Sequence, residues 1–131
     1  MAESLKGIDV LVVEDDEDTR DLLKLMLEAE GAATTTAASV QEALRAFDES
    51  RPTVIIADIG MPEYNGYTLI GRLRSGDRGK GKMVPAIALT AYTTASDRDT
   101  VLSAGFQVHM SKPFEPPQLI SAIADLAAKY R

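Results

Sequence analysis

Cysteine and tryptophan are both absent from the 131 residues, and there is a single histidine. Without cysteine there is no disulfide scaffold, no thiolate-bound zinc and no thiol nucleophile. One imidazole cannot build a poly-histidine metal site or pass a proton to a second imidazole. No apolar run approaches 18 residues, so no membrane span is expected. No basic segment followed by an apolar one opens the chain, so no secretory signal is expected either. The two absences together point to the cytosol. Positive charge is scarce as well. Lys and Arg number 14 against 20 Asp and Glu, a formal net charge of −6. Nonspecific nucleic-acid binding needs a basic surface, so nucleic acid is not an expected partner.

What is present fits one folded domain. Apolar types make up 45% and charged types 26% of the chain, ordinary proportions for a globular domain. A chain this long buries roughly two thirds of its unfolded surface, enough for one good core. Residues 1–131 are expected to form a single domain, with the core over about 8–128, and to be monomeric. Within these 131 residues a sensor or DNA-binding domain beside a complete core is not expected. The charge is unevenly placed. Residues 1–65 carry a net of −10 and residues 66–131 a net of +4. Much of the acid lies in one run: Glu14, Asp15, Asp16, Glu17, Asp18 and Asp21. Taken alone, that run is a solvated helix start, where acids are favoured by the backbone dipole.

Apolar periodicity alternates along the chain. Val10-Leu11-Val12-Val13 reads as a short strand buried on both faces. Leu22, Leu23, Met26 and Leu27 recur at helical spacing to about Ala29, and Gly31 stops that helix. Ala33 to Ala37 reads as a less apolar strand nearer an edge. Ser39, with Glu42 three residues on, forms a capping box before a helix lined by Val40, Ala43, Leu44 and Phe47. Val54-Ile55-Ile56-Ala57 is a third strand, and Tyr67, Ile70 and Leu73 mark a third helix. Ala86-Ile87-Ala88-Leu89 is a fourth strand, entered through Pro85. Val101, Leu102 and Ala104 mark a helix ending at Gly105. Val108 to Met110 is a fifth strand, and Pro116 or Pro117 opens a last helix carrying Leu119, Ile120, Ile123, Leu126 and Ala127. Phe47 and Phe106 read as core. Five βα units in a row predict an α/β fold: a parallel sheet with helices on both faces and right-handed crossovers.

In such sheets ligands bind beyond the carboxyl ends of the strands. The first strand ends at Glu14-Asp15, the third at Asp58 and the fourth at Thr90, and the fifth is followed by Lys112. Three carboxylates, a hydroxyl and an ammonium are therefore expected at one end of the sheet. Carboxylates packed together raise one another's pKa unless something cationic joins them. Oxygen-only ligands suit Mg²⁺, which keeps several waters and shares its shell with phosphate. A lysine can then pair with phosphate oxygens as a point charge, and a threonine hydroxyl can donate to one. This is equipment for phosphoryl transfer. A carboxylate can be the nucleophile, and Asp58 is the natural candidate, near the middle of the sheet and followed by a Gly/Pro loop.

Four stretches carry a resemblance: Val12-Val13-Glu14-Asp15, Ile56-Ala57-Asp58-Ile59-Gly60-Met61-Pro62, Leu89-Thr90-Ala91 and Ser111-Lys112-Pro113-Phe114. Each alone is short. All four in this order, each at a strand end, resemble the receiver domain of bacterial two-component response regulators over essentially the whole chain. The resemblance implies a flavodoxin-like doubly wound fold with strand order 2-1-3-4-5. It implies Asp58 as phosphoacceptor, and Asp15 as direct Mg²⁺ ligand with Glu14 acting through a metal-bound water. It further implies the Gly60 carbonyl as another metal ligand, and Thr90 and Lys112 as contacts to the phosphoryl group. The Lys112–Pro113 bond is expected to be cis, which X–Pro bonds permit. His109 falls where many receivers carry an aromatic switch residue, and it reads equally as a half-buried packing residue. Asp16, Glu17 and Asp18 stay with the helix start.

The implied partner is a histidine kinase whose phosphohistidine supplies the phosphoryl group. Phosphorylation then shifts the face made by the fourth helix, fifth strand and fifth helix. Leu5-Lys6-Gly7-Ile8-Asp9 and Gly105 to Met110 also resemble receivers at the C-terminus of hybrid histidine kinases. There the donor would be in the same polypeptide and a histidine phosphotransfer protein would follow. Tyr64 and Asn65 depart from the family's usual apolar residue and Asp. Gly60 offers no side chain to orient an attacking water, and Tyr92 could shield the acyl phosphate. Slow autodephosphorylation is therefore expected, and a phospho-Asp58 half-life of a few seconds without a phosphatase contradicts it. Two other classes remain on the page. A docking module that is never phosphorylated would not need these site residues. An Asp-nucleophile phosphohydrolase generally needs a second Asp two residues on, where this chain has Gly60. Gly76 to Met83 reads G-x-x-x-x-G-K-M, close to a phosphate-binding loop. It lacks the Ser/Thr and leads into a strand rather than a helix, so it reads as a basic solvated loop.

Overall fold

The computed structural model describes residues 4–59, 66–75, 84–90, 95–112 and 114–130. In these the chain alternates strictly. β1 (Asp9–Val13), α1 (Glu17–Ala29), β2 (Ala33–Ala37), α2 (Val40–Ser50) and β3 (Val54–Asp58) come first. Then follow α3 (Gly66–Leu73), β4 (Ala86–Thr90), α4 (Ala95–Ala104), β5 (Val108–Ser111) and α5 (Pro116–Lys129). The strands form one parallel sheet in the order β2-β1-β3-β4-β5. The strand spans expected from the apolar runs are met to within a residue at each end. The less apolar second strand is at the sheet edge, as its threonines suggested.

Side chains alternate across a strand, so each strand feeds two cores. Leu11, Val13, Ile55, Ala57, Ala86 and Ala88 face one layer, where they meet Val40, Leu44 and Phe47 of α2, Leu69, Ile70 and Leu73 of α3, Val101 of α4 and Phe106. Val10, Val12, Val54, Ile56, Ile87 and Leu89 face the other. They pack on Leu23 and Leu27 of α1 and on Leu119, Ile123, Leu126 and Ala127 of α5. Burial on both faces is why β1, β3 and β4 read as unbroken apolar runs. Leu5 is also fully buried in the α1–α5 layer, and its N–H donates to the Glu30 carbonyl at 2.8 Å.

The helix starts follow from their side chains. Asp16 caps α1 by accepting from the Thr19 N–H, and Glu17 and Asp18 occupy the first turn. Ser39 caps α2, accepting from the Glu42 N–H at 3.2 Å while its hydroxyl meets the Glu42 carboxylate. Gly31, at φ 95, turns the chain out of α1 into β2. Among the described residues no helix is long and apolar enough to cross a membrane.

Candidate functional site

Strand register sets the height of each candidate residue. Val13 lies level with Ala37 on one side and Ala57 on the other, so Glu14 emerges level with Asp58. Asp58 pairs with Leu89, and Thr90 with Ser111, so Thr90 and Lys112 stand one and two positions further along. The exits of β1 and β5 are each tied down by a neighbouring strand. Glu14 N–H donates to the Ala37 carbonyl at 3.0 Å, and Lys112 N–H to the Thr90 carbonyl at 2.8 Å. Residues 98 positions apart in sequence are thereby delivered to one sheet end.

There the Lys112 ammonium bridges two carboxylates, 3.0 Å from Glu14 Oε1 and 3.0 Å from Asp58 Oδ2. Glu14 Oε2 accepts from the Asp16 N–H at 3.2 Å. Arg20 Nη1 donates to the Glu14 carbonyl oxygen at 3.0 Å. Glu14, Asp15 and Asp58 each offer a carboxylate oxygen, all within 4.8 Å of one another. Glu14 is 1% exposed and Asp58 9%, whereas Asp15 faces solvent. Loss of water around Glu14 pushes its carboxyl up to about 7. Hydrogen bonding and charge from Asp58 add to this, while Lys112 and the Asp16 N–H oppose it. Burial by itself would push the Lys112 ammonium down; its bonds to Asp58 and Glu14 outweigh that, and the net direction is up. One fixed cation does not neutralise three gathered carboxylates. The donor set is entirely oxygen and carries excess negative charge, which fits a hard divalent ion such as Mg²⁺.

The structure thus brings together Glu14, Asp15, Asp58 and Lys112. Thr90 is buried at the end of β4, on the strand beside Asp58. His109 lies half-buried on the edge strand β5, level with Ala88 and below the acidic cluster. Gly60 and Pro113 lie outside the described residues, as do Tyr64, Asn65, Tyr92 and the Gly76 to Met83 loop. Two features were not legible in the sequence. Lys112 is engaged by Glu14 as well as by Asp58. Arg20 holds the strand-end carbonyl of Glu14, and its position in the first turns of α1 gave no sign of this.

Beside Lys112 a cleft of about 630 Å³ opens between α1 and the start of α5, lined by Thr19, Leu22, Met26, Lys112, Phe114 and Pro116. Leu22 is 56% exposed, and Leu25, one turn further along α1, is 70% exposed.

Comparison with known proteins converges on one family. The model of the response regulator receiver domain matches residues 10–124. An uncharacterized 14.6 kDa protein of Leptolyngbya boryana is 46% identical over 92% of this chain and 91% of its own length. Hybrid signal transduction histidine kinase D of Dictyostelium discoideum is 36% identical over 96% of this chain, which spans only 8% of that protein. The chain also spans less than half of several transcriptional regulators it matches. A solved receiver domain of the sensor histidine kinase PA1611 from Pseudomonas aeruginosa, with magnesium in its active-site cleft, is 30% identical. It superposes with a TM-score of 0.82 over 93% of this chain and 98% of that one. Receiver domains of this kind are phosphorylated on an aspartate, bind Mg²⁺ in the acidic pocket and act as signalling modules rather than as conventional enzymes. With its 2-1-3-4-5 parallel sheet and the acidic pocket at the carboxyl end, this chain belongs to the response regulator receiver domain family.

Proposed function

We propose that Asp58 accepts a phosphoryl group from the phosphohistidine of a histidine kinase, and that the phosphorylated state changes the face made by α4, β5 and α5. The observation that carries this is the Lys112 ammonium 3.0 Å from Asp58 Oδ2, inside a group of carboxylate oxygens spanning no more than 4.8 Å. The carboxylate of Asp58 is near-buried at a sheet end, so an incoming phosphorus meets a nucleophile with little competing water. The Asp58 oxygen bonds to phosphorus as the P–N bond to the donor imidazole breaks. Glu14, Asp15 and Asp58 would hold Mg²⁺, with the Gly60 carbonyl completing the protein's share. Bound there, the ion supplies charge neutralisation for the phosphoryl oxygens. Lys112 pairs with the phosphoryl group once Asp58 is phosphorylated, and the Thr90 hydroxyl binds a further oxygen. Residues about 8–128 supply the core of this single unit, to which Leu5 adds.

Small phosphodonors test this directly. Acetyl phosphate with Mg²⁺ is expected to label the protein with one acid-stable, hydroxylamine-sensitive phosphoryl group, and EDTA to prevent it. Absence of labelling would favour the unphosphorylated docking module. Repeated turnover of simple phosphate esters would favour the hydrolase.

The kinase must bring its imidazole to Asp58, so its surface covers the rim of the site. On the α1 side that rim is apolar, through Leu22 and the cleft beside it. Leu22→Glu is therefore expected to slow transfer from the kinase by roughly tenfold or more, the equivalent of one buried apolar contact. Labelling by acetyl phosphate should stay unchanged, because the exposed, apolar Leu22 supplies no group to the phosphoryl-transfer step. Equal losses with both donors would overturn this surface assignment. Where the domain belongs to a hybrid kinase, a histidine phosphotransfer protein would meet the same rim.

A further inference from the structure

We infer that Arg74 pins the C-terminal end of α4, so that a rearrangement begun at Thr90 swings α4 about Gly105 instead of carrying the whole helix. This rests on the phosphoacceptor reading for its trigger, though not for the pin itself. Arg74 directly follows α3. Its Nε and Nη2 donate to the Gly105 carbonyl at 3.3 and 3.2 Å, and Nη2 also donates to Gln107 Oε1 at 3.1 Å. Gln107 in turn binds the entry of β5 to the entry of β4. Its side-chain oxygen accepts from the Ala86 N–H at 2.7 Å, its amide nitrogen donates to the Gly105 carbonyl at 3.2 Å, and its own N–H donates to the Ala86 carbonyl at 2.9 Å. One guanidinium fork thus joins the end of α3, the end of α4 and the starts of two strands. A planar fork can serve two acceptors at once in a way that an ammonium on a flexible stem does not.

The packing at this corner is close. Gly105 has φ +124, and a Cβ there would meet Ile70 Cγ1 at 3.2 Å and Arg74 Cγ at 3.4 Å. Without the fork the helix end is weakly closed. Gly105 N–H reaches the Leu102 carbonyl at 3.3 Å and Phe106 N–H the Val101 carbonyl at 3.4 Å, both at the long limit for such bonds. Val101 and Phe106 are buried here, while Asp99, Thr100, Leu102 and Ser103 face outward. The anchor therefore sits at the amino end of β5, and the acidic site at the carboxyl ends of the strands. A ten-residue helix, roughly 15 Å long, connects the two levels. A helix pushed at one end and held at the other turns about the held end.

Amide hydrogen exchange and NMR shifts in wild type, Arg74→Met and Arg74→Lys test the pin. In the free proteins, Arg74→Met is expected to speed exchange at Gly105 and Phe106 about tenfold more than at Ile56, which reports global opening. Arg74→Lys keeps the charge and the aliphatic packing, and gives an intermediate effect if Arg74→Met does not fold. Equal acceleration at Gly105 and Ile56, or none at either, overturns the proposal. With beryllofluoride and Mg²⁺, wild-type Thr90 and Lys112 amides should shift while Gly105 and Phe106 hold still. In Arg74→Met all four should shift. Wild-type shifts at Gly105 as large as at Thr90 also overturn it. If Thr90 and Lys112 do not respond at all, the phosphoacceptor reading fails, and the exchange rates of the free proteins still decide whether Arg74 pins α4.

Discussion

Asp58→Asn is expected to abolish labelling by acetyl phosphate and by any histidine kinase, while leaving a folded domain. The carboxamide keeps the volume of the side chain and can still accept from Lys112, so the core below it is undisturbed. What disappears is the anionic oxygen that attacks phosphorus, and no neighbour stands in for it. Glu14 is committed to Lys112 and to the Asp16 N–H, and Asp15 faces solvent. The same substitution removes hydrogen bonding and charge that hold the Glu14 proton on, so the Glu14 carboxyl should ionise more easily. Stability in the absence of metal should therefore stay level or rise by up to about 1 kcal/mol. Labelling, the thermal midpoint and the pH dependence of stability are the three measurements. Retention of a hydroxylamine-sensitive phosphoryl group at the wild-type rate would remove Asp58 from its role.

Lys112→Met has two separable effects. The first is kinetic. The ammonium lies 3.0 Å from Asp58, and losing such a charge at a phosphoryl-transfer site costs roughly 10²-fold in rate. The second is a pH-dependent loss of stability. In the wild type without metal, the Glu14 pKa is raised from 4.5 to about 7 in the folded state. Between those values the unfolded chain has released its proton and the folded chain has not. This group's contribution therefore makes stability fall as pH rises from 4.5 to 7 and then level off, by about 3 kcal/mol at most. Lys112 offsets part of that loss. Its own pKa is raised from 10.5, so its contribution is fully present below 10.5 and disappears only as pH rises through the folded value.

Removing the ammonium leaves Glu14 and Asp58 together without their shared cation. Lys112→Met is accordingly expected to cost about 2 kcal/mol at pH 8 and much less at pH 5, where Glu14 keeps its proton. Mg²⁺ should recover much of the loss. Denaturant unfolding at several pH values, with Mg²⁺ and with EDTA, reads both trends. The same cost at pH 5 and pH 8 would show that the lysine matters through packing alone. Glu14→Gln should flatten the wild-type slope between pH 4.5 and 7, and an unchanged slope would take Glu14 out of the account.

Much of the fold can be read from spacing alone. Val10 to Val13, Val54 to Ala57 and Ala86 to Leu89 are unbroken because those strands are covered on both faces, and Ala33 to Ala37 is broken by threonines because it lies at an edge. The helix starts at Asp16 and Ser39 are local chemistry and needed no neighbour to be recognised. The convergence of Glu14, Asp15, Asp58 and Lys112 follows from the rule that parallel strands present their carboxyl ends on one side. Degree of burial is a different matter. Glu14 and Asp15 are adjacent in sequence and indistinguishable in composition, yet one is buried and the other exposed, because successive residues leave a strand on opposite sides.

The sequence by itself determined the order of strands and helices, the faces they bury and the set of groups that end the strands. Those properties depend on periodicity and on residues within a few positions of one another. Only the tertiary structure decided how the groups pair. Lys112 lies between Glu14 and Asp58, Arg20 holds the end of β1, and Arg74 binds α3 to the end of α4 and the start of β5. Each of these cations reaches its partner through a long side chain directed by packing from a distant element. The reach of a lysine or arginine is wide enough to admit many partners, and only the folded arrangement selects among them.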